Sequence, residues 1–256
     1  MANDYFSLQD KKVLIIGGTS GIGLAVGQHF TQAGATVVVT GRRNRGEIQS
    51  SGCHFICCDV TDEPSVDAAL QQATEHLGGL DVALVNAGIA LDDEAHVGEL
   101  ATADFDAQLQ TNLRGAYLGL KYVARHISDG GSIILTTSGA GWFLLPGYMG
   151  YGASKAGLPI MARHAASQLG GRGIRVNCVS PGTIVTAIQP ADDMEAQICA
   201  QQTCLGRTGT TDDVLGAYHF LASDASRYVT AAELVVDGGW AGGVTENSAN
   251  LILQAK

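Results

Sequence analysis

The chain has 256 residues, a formal net charge of -10 and a sequence pI near 5.0, so its long-range field repels nucleic acid and anionic membrane and excludes both as partners. Hydrophobic residues make up 46% and charged residues 16%, a balance that excludes disordered and fibrous classes and allows one large core. No apolar run approaches the ~18 residues of a membrane span, and "MANDYFSLQDKK" lacks the basic start and apolar core of a signal peptide, so a cytoplasmic location is expected.

Short runs rich in Val and Ile recur along the chain: "KVLII" at 12–16, "TVVV" at 36–39, "HFICC" at 54–58, "DVALV" at 81–85, "SIILT" at 132–136, "IRVNCV" at 174–179 and "ELVV" at 233–236. Segments of helical period separate most of them, among them "GLAVGQHFTQAG", "EPSVDAALQQATEHLG", "DFDAQLQTNLRGAYLGLKYVARHI" and "SKAGLPIMARHAASQLG". Apolar strands alternating with helices predict a seven-stranded parallel sheet covered on both faces, in one α/β domain over 1–256. The stretch from Gly41 to Gly52 is too short and polar for a full crossover helix, so a stunted one is expected. Pro159 removes a backbone donor and predicts a kink or a locally loosened turn in the helix after Tyr151. The six cysteines follow no framework spacing, which predicts reduced thiols. In "CHFICC" adjacent side chains point to opposite faces of a strand, so Cys57 and Cys58 do not converge and no metal site is expected.

After the first strand comes "GGTSGIG", with Gly17, Gly21 and Gly23 spaced G-x-x-x-G-x-G before a helix. Such glycines permit positive φ and let backbone amides approach a pyrophosphate at a helix N-terminus, and a plain tight turn is the alternative. Further on, "YMGYGASK" holds Tyr148 and Tyr151 seven and four residues before Lys155, on roughly one helix face. The rise along the axis brings Tyr151 nearer the lysine. A tyrosine with an ordinary pKa near 10 needs help to exchange protons at neutral pH, and an ammonium one turn away is expected to lower it.

These motifs in order make the chain resemble the short-chain dehydrogenase/reductase family over nearly its whole length. That family writes the first turn T-G-x-x-x-G-I-G, and this chain departs only by Ile16 at the Thr. Asp59 in "CDVTD", the turn Asn86, Ala87 and Gly88, Asn112 in "QTNLRG", Ser138 thirteen residues before Tyr151, "NCVSPGTIVT" through Asn177, Pro181, Gly182 and Thr186, and "VVDGG" at 235–239 complete the resemblance. It implies a Rossmann-type doubly wound sheet and hydride transfer between a nicotinamide and a ketone or secondary alcohol. Tyr151 would be acid or base, Ser138 would orient the oxygen, and Lys155 would bind the ribose. Asn112 would hold a relay water. The cofactor residues implied are Gly17, Thr19, Ser20, Gly21, Ile22, Gly23, Asp59, Val60, Asn86, Ala87, Gly88, Tyr151, Lys155, Pro181, Gly182, Ile184 and Thr186.

NAD-preferring relatives end the second strand with an acid; here Gly41 stands there, followed by Arg42 and Arg43, which can bind a 2'-phosphate. NADP is the expected cofactor, with NAD the alternative, although Arg42, Arg43 and Arg45 also fit a solvated face. The substrate loops are expected at about 89–99, 139–150 and 183–206, with Trp142, Phe143, Leu144 and Tyr148 forming an apolar wall suited to a hydrophobic or cyclic substrate. Each of these side chains could instead pack under the loops or at a subunit contact. The tail ends in the apolar cluster Leu251 to Leu253, which in the family would lie at a neighbouring subunit or near the site's mouth. A homotetramer built on helices around 104–127 and 151–169 is implied by the family. Two other functions fit parts of the pattern: an enoyl reductase using Tyr148, and a cofactor-binding regulator without turnover.

Overall fold

The computed structural model describes residues 4–44, 46–91, 96–143, 147–186, 194–243, 245–246 and 249. Seven strands form one sheet: β1 (Lys12–Ile16), β2 (Thr36–Gly41), β3 (His54–Cys57), β4 (Val82–Val85), β5 (Ser132–Thr136), β6 (Arg175–Pro181) and β7 (Glu233–Val236). All neighbours pair in parallel, in the order β3-β2-β1-β4-β5-β6-β7. Their apolar runs have no polar alternation because both faces of the sheet are covered. Along β1 the side chains alternate between two cores. Leu14 and Ile16 join Leu70, Val85 and Ile133 on one face, and Val13 and Ile15 join Phe30, Leu84 and Tyr218 on the other. Strand order reverses between β1 and β4, which opens a crevice at the carboxyl ends of the central strands.

The helices are α1 (Gly21–Gln32), α2 (Gly46–Gln49), α3 (Glu63–Leu77), α4 (Thr102–Gln108), α5 (Gly115–His126), α6 (Met149–Ala156), α7 (Leu158–Leu169), α8 (Met194–Gln202) and α9 (Thr211–Ala222). Local chemistry sets the ends of α3: the Asp62 carboxylate accepts the Ser65 amide at 3.2 Å, and Gly78 closes the helix at φ 67°. The crossover between β2 and β3 carries only the four residues of α2, as its length required.

Two expected long helices are interrupted. The segment from 102 to 126 is not one α-helix, because the turn Leu109–Arg114 is π-helical and joins α4 to α5. The extra residue in that turn re-aims the side chains that follow, and such insertions favour functional sites. After Tyr151 the expected loosened turn lies at Gly157, which keeps a right-handed helical backbone (φ -75°, ψ -20°) between α6 and α7. Pro159 then falls in the first turn of α7, where its missing N–H has no partner to lose. Arg45, Leu144 and Leu251 to Leu253 lie outside the described residues, as do parts of the three expected substrate loops.

Beneath the crevice the fully buried Tyr218 of α9 shares a hydrogen bond with the Thr136 hydroxyl at 3.0 Å, tying α9 to the end of β5. Tyr218→Phe leaves that hydroxyl unpaired in the core. We expect a loss of about 1–3 kcal/mol, read as a lower urea midpoint at unchanged slope; an unaltered midpoint contradicts this.

Candidate active site

The first turn is built by backbone. Gly17 and Gly18 both donate to the Thr40 carbonyl at 3.0 Å, and the Asn86 amide donates to the Gly17 carbonyl at 2.8 Å. Gly17 has φ +86°, and a Cβ there would stand 2.5 Å from Ala87 Cα. A Cβ on Gly23 would run into the Gly17 carbonyl oxygen. Only glycine fits either place. Gly21, at φ +54°, is open apart from the Thr186 methyl, which a Cβ would meet at 3.6 Å. Ser20 precedes α1 as its N-cap with no side-chain cap bond, leaving the amides around Thr19, Gly21 and Ile22 at the helix mouth for an anion.

At the rim, a Cβ on Gly41 would lie 2.6 Å from the Thr19 methyl, so a side chain there would require the Thr19 side chain to shift. Arg42 stands close enough to Asp59 to help lower the carboxyl below its ordinary range; the larger causes are the Thr61 hydroxyl and amide, which donate to it at 2.7 and 2.9 Å. Val60 packs beside them in the core. Arg43 is exposed. On the other side of the crevice, the amides of Asn86 and Ala87 both donate to the Ile16 carbonyl at 2.9 Å, which bends the chain after β4.

Asn112 sits in the π-helical turn, fully buried. Its Oδ1 accepts the Ile89 amide at 2.8 Å, and its Nδ2 donates to the Ile89 carbonyl at 2.8 Å and the Ser154 hydroxyl at 3.0 Å. The side chain therefore pins the loop after β4 to α6. Ser154 passes the link on by donating to the Tyr151 carbonyl at 2.6 Å. Neither the π turn nor the role of Ser154 was visible in the sequence, since helical periodicity looks the same on both sides of a one-residue insertion.

Ser138 follows the end of β5, and its hydroxyl stands close enough to the Tyr151 phenol to favour the deprotonated form. Its Oγ also accepts the Ala140 amide at 3.2 Å. Tyr151 and Lys155 lie on α6, with Lys155 Nζ 5.7 Å from the Tyr151 ring centroid. That ammonium donates to the Thr136 carbonyl at 3.1 Å and faces Gly88, where a Cβ would stand 3.3 Å from both Lys155 Nζ and Asn112 Oδ1. Burial raises the Tyr151 phenol above its ordinary value, and the Ser138 hydroxyl opposes that rise. Burial also pulls Lys155 down to about 8. The expectation that the ammonium tunes the phenol is thus corrected in the protein alone: burial dominates, and Ser138 supplies the counterweight. Spacing carries no information on burial.

The outer residues divide. Tyr148 caps α6, its ring edge-on to Tyr151 with centroids 6.0 Å apart. Trp142 is drawn to the sheet edge, where its indole N–H donates to Glu233 at 2.8 Å. Phe143 lies over Gly139 and against Trp240, a residue that sequence reasoning did not single out. Pro181 ends β6, Gly182 donates to the Val236 carbonyl at 3.0 Å, and Ile184 bridges to Gly209, which brings Thr186 beside Gly21. Among the described residues no group of three or more His, Cys, Asp or Glu is placed to hold a metal, and all six cysteines are free.

Known proteins are similar to the chain over most of its length. The family model described as enoyl-(acyl carrier protein) reductase matches residues 17–241. A borneol dehydrogenase, mitochondrial, of Lavandula x intermedia is 38% identical over 237 residues, 91% of each chain. A (-)-isopiperitenol/(-)-carveol dehydrogenase, mitochondrial, of Mentha piperita is 34% identical over 91% of this chain and 94% of that one. The crystal structure of a short chain dehydrogenase from Burkholderia cenocepacia J2315 in complex with NADP superposes with a TM-score of 0.86 at 32% identity, over 93% of this chain and 100% of that one. The chain belongs to the short-chain dehydrogenase/reductase family.

Lys155 holds its proton more weakly when folded, at about 8, than at its ordinary value of 10.5. Between those values the unfolded chain binds the extra proton, so stability rises as pH climbs through that window. Lys155→Met, which removes the buried charge, is expected to raise the denaturation midpoint at pH 7, with the gap over wild type narrowing from about pH 8 upward. A gap constant across that range contradicts a buried ammonium as its source.

Proposed function

We propose that the chain is an NAD(P)-dependent dehydrogenase/carbonyl reductase, preferring NADP, that interconverts a hydrophobic or ring-bearing secondary alcohol and its ketone. The observation that carries it is Tyr151 on one helix with the buried Lys155, whose Nζ lies 5.7 Å from the Tyr151 ring centroid, with the Ser138 hydroxyl close enough to favour the phenolate. When bound, the nicotinamide supplies or takes the hydride. Tyr151 gives the proton to the ketone oxygen or takes it from the alcohol, and Ser138 fixes that oxygen in reach. Lys155 holds the ribose. Asn112, by fixing Ile89 and Ser154, keeps α6 in place and orders the route by which protons leave.

The cradle fits a dinucleotide. Gly17, Gly21 and Gly23, with Thr19, Ser20 and Ile22, bring amides and bare Cα positions to a pyrophosphate. Asp59 and Val60 would hold the adenine, Asn86, Ala87 and Gly88 the ribose, and Pro181, Gly182, Ile184 and Thr186 the nicotinamide end. The second strand ends in Gly41 rather than an acid, and Arg42 and Arg43, both exposed, are the cations that would bind a 2'-phosphate. The loops at about 89–99, 139–150 and 183–206, with Trp142 and Tyr148, wall the substrate. The names of the borneol and carveol dehydrogenases support a cyclic secondary alcohol.

The same reading includes a cytoplasmic homotetramer. Free thiols support a reducing compartment. Tyr117 on α5, Ile160 on α7 and Leu234 on β7 are exposed apolar side chains on the elements that would pair. Among the described residues no helix is long and apolar enough to cross a membrane.

Reduction of an enoyl thioester by Tyr148 is a second reading, favoured by the description of the matching family model. Against it, the Ser138 hydroxyl acts on Tyr151, and Tyr148 stands at the helix cap. Following reduced-nicotinamide absorbance with ketones, enones and secondary alcohols, and with both dinucleotides, separates the readings. Tyr151→Phe is expected to lower kcat/KM on the preferred ketone by about 1000-fold, and Tyr148→Phe by less than about ten-fold. The reverse order, with enones alone reduced, moves the chemistry to Tyr148. Turnover of none leaves a binding protein.

A further inference from the structure

The loop that leaves Ser138 is tied to the end of the sheet in two places. Trp142 donates to Glu233 at the start of β7, and Phe143 meets Trp240 just beyond that strand, with ring centroids 4.4 Å apart and planes inclined by 39°. The second contact is the better placed for substrate. Phe143 lies directly over Gly139, the residue after Ser138, so closely that a Cβ on Gly139 would stand 2.5 Å from the ring. The Phe143 ring is therefore packed on the residue that follows Ser138 in the chain, with Trp240 against it.

Trp240 is held by its own turn. The Asp237 carboxylate accepts the Gly239 amide at 2.8 Å and the Ala241 amide at 2.6 Å, and Gly239 adopts φ +89°, bracketing the tryptophan on both sides. The Cys204 thiol, just past α8, donates to the Gly239 carbonyl at 3.4 Å, so the end of the third substrate segment meets this turn. Tyr148 presents another ring at Tyr151. Tyr148 thus lies against Tyr151, Phe143 against the residue that follows Ser138, and the Trp240 turn joins the segments after β5, α8 and β7.

We propose that Trp240 is a specificity-determining residue: backed onto Phe143, it forms an apolar wall that favours a substrate whose carbinol carbon belongs to a rigid ring over an open-chain alcohol. A rigid ring fills a fixed aromatic wall without losing rotamer freedom, whereas a short chain leaves the wall uncovered. This rests on the alcohol dehydrogenase reading above, and it concerns which alcohol is chosen rather than how the proton moves.

The test uses the full chain with borneol as the ring-bearing probe and isopropanol as the open-chain one. Trp240→Ala is expected to lower kcat/KM for borneol by about ten-fold or more while changing that for isopropanol by less than about two-fold. The chain has two tryptophans, so Trp142→Phe leaves Trp240 as the sole indole reporter. Its emission is expected to shift saturably with borneol and not with isopropanol. Equal losses on both alcohols, or an emission indifferent to borneol, overturn the proposal. If wild type oxidises neither alcohol and the selective shift persists, the dehydrogenase reading falls and the wall stands.

Discussion

Holding the Lys155 ammonium inside the protein against a backbone carbonyl is the constraint the rest of the site serves. A buried cation is costly, and this one gives up affinity for its proton in consequence. It is kept in place by β5, whose Thr136 carbonyl accepts it and whose Thr136 hydroxyl is anchored to Tyr218 below. The same helix presents Tyr151, and the residue between them, Ser154, is bonded back to Asn112. Charge, phenol and amide are thus fixed by one short helix, one strand end and one π-helical turn.

Backbone does much of the work elsewhere. The glycine turn after β1 and the bend after β4 are joined through Asn86 to Gly17 and through the paired amides on the Ile16 carbonyl. Bare Cα positions at 17 and 23 are needed simply for these two segments to meet. The close approach that suits a pyrophosphate is also the approach that closes the central crevice. Gly88 extends that logic to the reacting end, where Lys155 and Asn112 converge over it.

Much of this was legible in the sequence. Val- and Ile-rich runs announced each strand because strands buried on both faces need no polar positions, and the four residues of α2 followed from a crossover too short to hold more. The interruption at Gly157 was legible as a loosened turn because Pro159 lacks a backbone donor, although not to the residue. The π-helical turn at Leu109–Arg114 left no trace in periodicity, and with it went the reason Asn112 reaches Ile89. Spacing put Lys155 near Tyr151 but could not weigh burial against charge, so the balance at the phenol was misassigned. Trp240 lay about a hundred residues from Phe143 in the chain and became a neighbour only when β7 was placed.

Tyr151 is the proposed proton-exchanging group, and Ser138 keeps its pKa from rising as far as burial alone would take it. The most direct measurement is the pH dependence of kcat/KM for alcohol oxidation in wild type and Ser138→Ala, since oxidation needs the deprotonated phenol. Losing the Ser138 hydroxyl should move the acid limb of that profile to higher pH. A profile that falls in height while its acid limb stays where it was contradicts the account.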